Sequence, residues 1–186
     1  ILEQNALPGL TNRALGKLVD RVYISFEESR RFFPGGRTIL SGNPVRRDII
    51  TKLEDRRGRA ERFSILVFGG SQGATAINAA FLDAAEFLTD IWSNLKVVHQ
   101  TGQEGFDTVV AAYKRKNLKV EAYKFIEAMG EAYNSADLVV CRAGATSLAE
   151  ITAAGLPSIL IPYPFASDDH QTVNARSLEK AGASVM

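Results

Sequence analysis

The 186 residues are 46% hydrophobic and 23% charged, enough to bury one full core and part of a second domain, and this mixture excludes a disordered chain. Lys and Arg number 22 against 21 Asp and Glu, so a net charge of +1 supplies no global field that would point to nucleic acid or an acidic surface as partner. The single cysteine, Cys141, excludes an internal disulfide, suits a reducing compartment and ends an apolar run as a core residue. No stretch approaches the about 20 apolar residues of a spanning helix, and the longest, residues 158–166, is broken by Pro162 and Pro164.

The start at Ile1, without a charged n-region or a cleavage site, predicts a piece of a longer protein and not a secreted precursor. In the first 45 residues "LTNRALGKLVDRV" reads as a helix and "YISF" and "TILSG" as strands, before the break "GNPVR". Asn43 and Pro44 therefore mark a domain junction, with one unit at 1–43 and a second at 44–186. The arginine-rich stretch from Arg30 to Arg62 is interspersed with Asp48, Glu54, Asp55 and Glu61 and reads as a solvated helix face.

From residue 63 short β-branched runs alternate with longer amphipathic segments. "FSILVFGG", "LKVVHQTG", "KVEAYKF", "DLVVCR" and "PSILIPY" read as five strands, with a sixth starting at Ala183. The helices between them predict an α/β fold, a Rossmann-like parallel sheet with helices on both faces. Gly155 and Gly182 read as helix stops. Trp92, Phe87 and Leu88 fall at helical spacing and read as core. His99 reads as a hydrogen-bonded structural histidine, and no histidine, cysteine or carboxylate grouping has metal spacing.

The turn "VFGGSQGAT", residues 67–75, admits several chemistries. A dinucleotide fingerprint needs glycine at its third position, where Ser71 stands, and an acid at the end of the next strand, which ends instead in His99-Gln100-Thr101. A P-loop needs a Gly-Lys-Ser/Thr that is missing. Gly69-Gly70-Ser71-Gln72-Gly73 satisfies the nucleophile-elbow pattern, and Ser71, Asp137 and His170 follow the hydrolase order. Against this, Asp137 begins its strand and His170 opens a helix. A second strand, glycine turn and helix start, "LVVCRAGATSLAE", then makes a pair of helix N-termini that suits a diphosphate. Ser71, Thr146 and Ser147 would donate to phosphate. Glu150 either completes a capping box with Ser147 or accepts two ribose hydroxyls.

"GGSQGA", "CRAGATSLAEITAAGLPSILIPYP" and "DDHQTVNA" in this order, with "EQN", "GLTN" and "GNPVR", resemble the MurG family of peptidoglycan glycosyltransferases across nearly the whole chain. The resemblance implies a two-domain GT-B fold and inverting transfer of N-acetylglucosamine from UDP-N-acetylglucosamine to lipid I, forming lipid II at the cytoplasmic membrane face. It implies that residues 44–186 are the donor-binding domain and 1–43 the tail of the acceptor domain. That domain's lipid-binding loops, candidate catalytic base and membrane contact would lie outside this chain, as would the family's final helices. The isolated chain is then expected to lack turnover. No cofactor or metal is implied. Residue by residue, the resemblance places Ser71 and the turn before Ala145, Thr146 and Ser147 on the donor diphosphate, and Glu150 on the ribose. Phe125 and the backbone of Ile126 fall beside the uracil, Arg46 on the nucleotide, and Asn5, Gln171 and His170 near the sugar. A serine hydrolase using Ser71 and His170 and a non-catalytic nucleotide-binding domain are the alternative readings.

Overall fold

The computed structural model describes residues 1–50, 62–70, 73–166 and 169–186. Among them, strands form two parallel sheets. The smaller holds β1 (Leu2–Glu3), β2 (Val22–Ile24) and β3 (Thr38–Leu40) in that order, with α1 (Leu10–Leu15) between the first two. The helix is shorter than the "LTNRALGKLVDRV" pattern predicts. After Leu15 the chain tightens: the Lys17 and Leu18 N–H groups reach back to the Ala14 and Leu15 carbonyls. Arg37 Nη1 then takes the Lys17 and Val19 carbonyls at 2.8 and 3.1 Å, which removes them from a helical ladder. In the arginine-rich stretch Arg30 pairs with Glu27 inside a 3₁₀ turn, and α2 (Arg47–Ile50) is a single turn. Glu54, Asp55 and Glu61 lie outside the described residues.

The larger sheet contains β4 (Phe63–Phe68), β5 (Leu95–Gln100), β6 (Glu121–Tyr123), β7 (Leu138–Cys141), β8 (Ser158–Leu160) and β9 (Ser184–Val185). These are the five strands and the sixth that the alternation predicts. All pairings are parallel, in the order β6-β5-β4-β7-β8-β9. The intervening helices are α3 (Thr75–Ala84), α4 (Phe106–Arg115), α5 (Met129–Ser135), α6 (Ala145–Ala153) and α7 (His170–Lys180). Gly155 and Gly182 carry positive φ at 60° and 71°, as expected of helix stops. Among the described residues no helix is long and apolar enough to cross a membrane.

Strand alternation divides the core. Leu66 and Phe68 of β4 pack with Met129 and Tyr133 of α5 and Leu148 and Ile151 of α6. Ile65 and Val67 face the other way, against Ile77 and Phe81 of α3 and Val109 and Tyr113 of α4. Burial on both faces explains why β4 runs unbroken through Ile65, Leu66, Val67 and Phe68 with no polar residue between them. Trp92 is buried and Leu88 packs beside it, whereas Phe87 is 89% exposed, contrary to the core assignment. In the 3₁₀ segment Ala85–Asn94 the inward residues are Ala85, Leu88 and Trp92, and Phe87, one position before Leu88, projects away from them.

The strand order places a topological switch point between β4 and β7, because the chain builds outward from β4 on one side and from β7 on the other. In open parallel sheets the crevice beyond the carboxyl ends at such a point is where ligands bind.

Two buried polar networks brace this crevice. His99 on β5 is fully buried, its Nδ1 2.9 Å from the Tyr113 hydroxyl and its Nε2 3.1 Å from Asn78 Oδ1. Asn78 Nδ2 already donates to the Thr101 carbonyl at 2.9 Å, so Oδ1 is the acceptor, Nε2 carries the proton and Nδ1 accepts from Tyr113. His99 is thus a structural histidine, as its sequence position predicts. The second network joins the two sheets. Asn12 Nδ2 and the Asn5 N–H donate to the two carboxylate oxygens of buried Glu3 at 2.8 and 2.9 Å. Fully buried Asn174 on α7 donates from Nδ2 to Asn5 Oδ1 at 3.1 Å and to the Ala143 carbonyl at 3.2 Å, while its Oδ1 accepts the Ala6 N–H at 2.8 Å.

Each network generates a prediction. Burial lowers the His99 pKa from 6.5 to about 4. Protons therefore bind the unfolded chain first, and the contribution of neutral His99 is complete above pH 6.5 and lost as pH falls toward 4. Between those limits His99 should cost up to about 3 kcal/mol of stability. Urea melts of the chain and of His99→Gln should show a steeper acid loss in the unsubstituted protein; parallel pH profiles would contradict this. Asn174→Ala orphans the Ala6 N–H and the Ala143 carbonyl, and should lower unfolding free energy by about 2–3 kcal/mol. A loss under about 1 kcal/mol in chemical denaturation would show that water or backbone movement replaces the amide.

Candidate functional site

The first glycine turn leaves β4 after Phe68 and enters α3 at Thr75. Gly73 has φ +80°, and a Cβ there would strike the Thr101 carbonyl, so only glycine lets this turn lie against the end of β5. Ser71 lies outside the described residues. The first intrahelical bond of α3 runs from the Asn78 N–H to the Ala74 carbonyl, which leaves the N–H groups of Thr75, Ala76 and Ile77 without helical acceptors. In the second turn, after Cys141, Gly144 is extended at the N-cap of α6. Here the first bond is Leu148 N–H to Gly144 carbonyl, so the N–H groups of Ala145, Thr146 and Ser147 are the open ones. Since β4 and β7 are neighbours, both helix N-termini flank the switch point, as the two turns predict.

Gln100 ties a third segment to this rim. Its Nε2 donates to the Gly70 carbonyl at 2.8 Å and its Oε1 accepts the Ile126 N–H at 2.7 Å. The same amide thereby fixes the glycine turn and the loop carrying Phe125 and Ile126. Phe125 is half-exposed and, with Gly73, Thr75, Thr101 and Lys124, lines a cleft of ≈ 460 Å³.

Glu150 sits one turn into α6 with its side chain only 12% exposed. Its Oε1 lies 3.4 Å from Arg46 Nε, and its Oε2 accepts the Tyr133 hydroxyl at 3.1 Å. The capping-box alternative fails: the N-cap is Gly144, with no side-chain cap, and Ser147 is already inside the helix. Arg46 reaches Glu150 because α2 docks on α5 at close range, a Cβ on Gly130 falling 2.8 Å from the Asp48 carbonyl. Burial, then the neighbouring Glu150 carboxylate, push the Tyr133 pKa up, so the phenol is the donor in this pair.

Asn5, Gln171 and His170 approach from the far side. Asn5 is held by Asn174, as described. Gln171 Oε1 accepts the Tyr163 N–H at 2.9 Å, so the side chain fixes the loop after β8 and is not an idle surface amide. His170 opens α7, half-buried. The hydrolase triad does not assemble. Asp137 Oδ2 accepts the Ser64 N–H at 2.8 Å at the amino ends of β7 and β4, about 13 Å along the strand from the rim that carries His170. Among the described residues no group of three or more His, Cys, Asp or Glu gathers as a metal site.

Three residues of this rim escape the sequence reading. Gln100 reads in the sequence only as the wrong residue for a dinucleotide fold, Tyr133 looks like an ordinary apolar-face aromatic, and Asn174 is overshadowed by Gln171 in "DDHQTVNA". The available signal was a polar residue at the end of an apolar strand for Gln100, and for Asn174 the position one turn beyond His170 on the same helix face.

Residues 64–186 match the glycosyltransferase family 28 C-terminal domain. A UDP-N-acetylglucosamine–N-acetylmuramyl-(pentapeptide) pyrophosphoryl-undecaprenol N-acetylglucosamine transferase of Syntrophus aciditrophicus is 50% identical over 186 residues, covering 100% of this chain and 52% of that protein. The protein of the same name from Myxococcus xanthus is 51% identical over 186 residues, covering 100% of this chain and 49% of its own length. The chain thus spans about half the length of the curated relatives it matches. The crystal structure of Acinetobacter baumannii MurG superimposes with a TM-score of 0.80 at 35% identity, covering all of this chain and 52% of that one. The six-stranded parallel sheet with helices on both faces is therefore the GT-B type of C-terminal domain, and the chain belongs to glycosyltransferase family 28.

Proposed function

We propose that this chain carries the donor site of an enzyme that transfers N-acetylglucosamine from UDP-N-acetylglucosamine to lipid I, making lipid II with inversion at the anomeric carbon. The observation that carries the reading is the placement of Glu150 and Arg46 beside two open helix N-termini at one switch point. A carboxylate suits the two ribose hydroxyls, and the helix ends with Arg46 suit a diphosphate. The names of the relatives, of which this chain spans about half, support the same substrates.

In this reading the diphosphate lies against Ser71 and the N–H groups of Ala145, Thr146 and Ser147. Glu150 takes the ribose. Uracil sits by Phe125 and the Ile126 carbonyl, since the Ile126 N–H already donates to Gln100. Asn5, Gln171 and His170 face the sugar. Attack by the muramoyl 4-hydroxyl on the anomeric carbon breaks the bond to the diphosphate, and the helix N-termini stabilise the charge that collects on the leaving oxygen. The base that takes the hydroxyl proton belongs to the acceptor domain, of which residues 1–43 form the tail beside a donor domain at 44–186. Lipid I and the cytoplasmic membrane face are engaged through that acceptor domain.

Calorimetric titration with UDP-N-acetylglucosamine should show binding, and a fluorophosphonate probe should leave Ser71 unlabelled; labelling without nucleotide binding would restore the hydrolase. Glu150→Ala should weaken UDP binding by about 1.5–3 kcal/mol and, because it leaves the buried Tyr133 hydroxyl without its acceptor, should also lower stability by about 1–3 kcal/mol. Unchanged UDP affinity would remove Glu150 from the ribose. With its carbonyl held by Tyr163, Gln171 reads the sugar through its amino group alone, one hydrogen bond. Gln171→Ala should shrink the preference for UDP-N-acetylglucosamine over UDP-N-acetylgalactosamine by about 1 kcal/mol, and an unaltered preference in competition titrations would exclude it from the sugar site.

A further inference from the structure

We propose that Tyr133 is a positioning residue for nucleotide recognition: its hydroxyl holds the Glu150 carboxylate in the orientation that accepts the ribose hydroxyls. The inference rests on the donor-site reading above and adds a residue that the reading does not use.

Glu150 has one donor on each carboxylate oxygen, and the two differ in kind. Arg46 Nε, 3.4 Å from Oε1, belongs to a side chain that is 50% exposed and also lies 4.0 Å from Asp48. It can swing toward an incoming phosphate. Tyr133 cannot move. It is 1% exposed, its ring meets Phe68 edge-on at 6.0 Å and 80°, and its helix α5 is locked against α2 at Gly130. The hydroxyl thus projects from the core cluster to a fixed point, 3.1 Å from Oε2. A glutamate on an exposed helix face samples several rotamers. One anchored to a rigid phenol presents its remaining lone pairs in one direction, and this reduces the ordering cost that ligand binding would otherwise meet. When Arg46 turns to the diphosphate, the Tyr133 bond is the one that keeps the carboxylate in place.

Ribose discrimination separates positioning from packing. Calorimetric titrations of the chain, of Tyr133→Phe, of Glu150→Ala and of the double variant would use UDP and 2′,3′-dideoxy-UDP, which lacks the hydroxyls that Glu150 would hold. Tyr133→Phe keeps the ring that fills the core. It should weaken UDP about fivefold, the equivalent of one hydrogen bond, and leave the dideoxy nucleotide unchanged. In the Glu150→Ala background the same substitution should have no further effect on UDP. Equal weakening of both nucleotides, a further fivefold loss in the Glu150→Ala background, or a Tyr133→Phe chain that no longer folds would make Tyr133 a packing residue and overturn the proposal. Failure of the unsubstituted chain to bind UDP would instead sink the donor-site reading itself.

Discussion

One fully buried amide, Asn174, holds together parts of the molecule that are remote in sequence. It joins α7 to the Asn5–Ala6 segment of the small sheet and to the Ala143 carbonyl in the turn before α6. A buried side-chain amide in this position has no water to fall back on, so each donor and acceptor it leaves unpaired destabilises the fold by the full desolvation penalty. The position of the second glycine turn, and of the open N–H groups of α6, follows from that requirement. So does the approach of Asn5 to the rim. Glu3 and Asn12 extend the chain of bonds, which links residues of "EQN", "GLTN", "CRAG" and "DDHQTVNA" although these stretches are far apart in sequence.

The opposite flank of the crevice is fixed in the same manner by Gln100, with one amide serving the first glycine turn and the Phe125–Ile126 loop. Behind it, His99, Asn78 and Tyr113 hold the end of β5 through a neutral imidazole. Half-exposed groups such as Arg46 thus stand on a rim whose backbone geometry is set by buried polar side chains. That arrangement suits a ligand with a rigid charged centre, because the donors are already aimed before it arrives.

The sheet was legible because its strands are β-branched runs at regular spacing and its turns carry glycine where the backbone demands it. Parallel order, helices on both faces and the pairing of the two glycine turns all follow from that pattern. The misreadings have local causes. Phe87 lies about 140° from Trp92 at helical spacing, so it does not share the inward face of Leu88 and Trp92. The helix begun at Leu10 stops early because Arg37, twenty residues after Lys17, claims its carbonyls. The ambiguity at Glu150 could not be resolved from spacing, since Ser147 and Glu150 satisfy a capping box on paper. The N-cap is set by where β7 ends, and that is a matter of three-dimensional register. Gln100, Tyr133 and Asn174 were illegible for the same reason: their partners lie 26, 17 and 169 residues away.

On the donor-site reading a nucleotide diphosphate occupies the crevice between β4 and β7, and a crystal structure of this chain grown with UDP-N-acetylglucosamine would show it. The diphosphate is expected between the N-termini of α3 and α6, with both ribose hydroxyls on the Glu150 carboxylate. Ordered nucleotide at any other surface, with Glu150 still paired to Arg46 and Tyr133 beside an empty crevice, would contradict that reading.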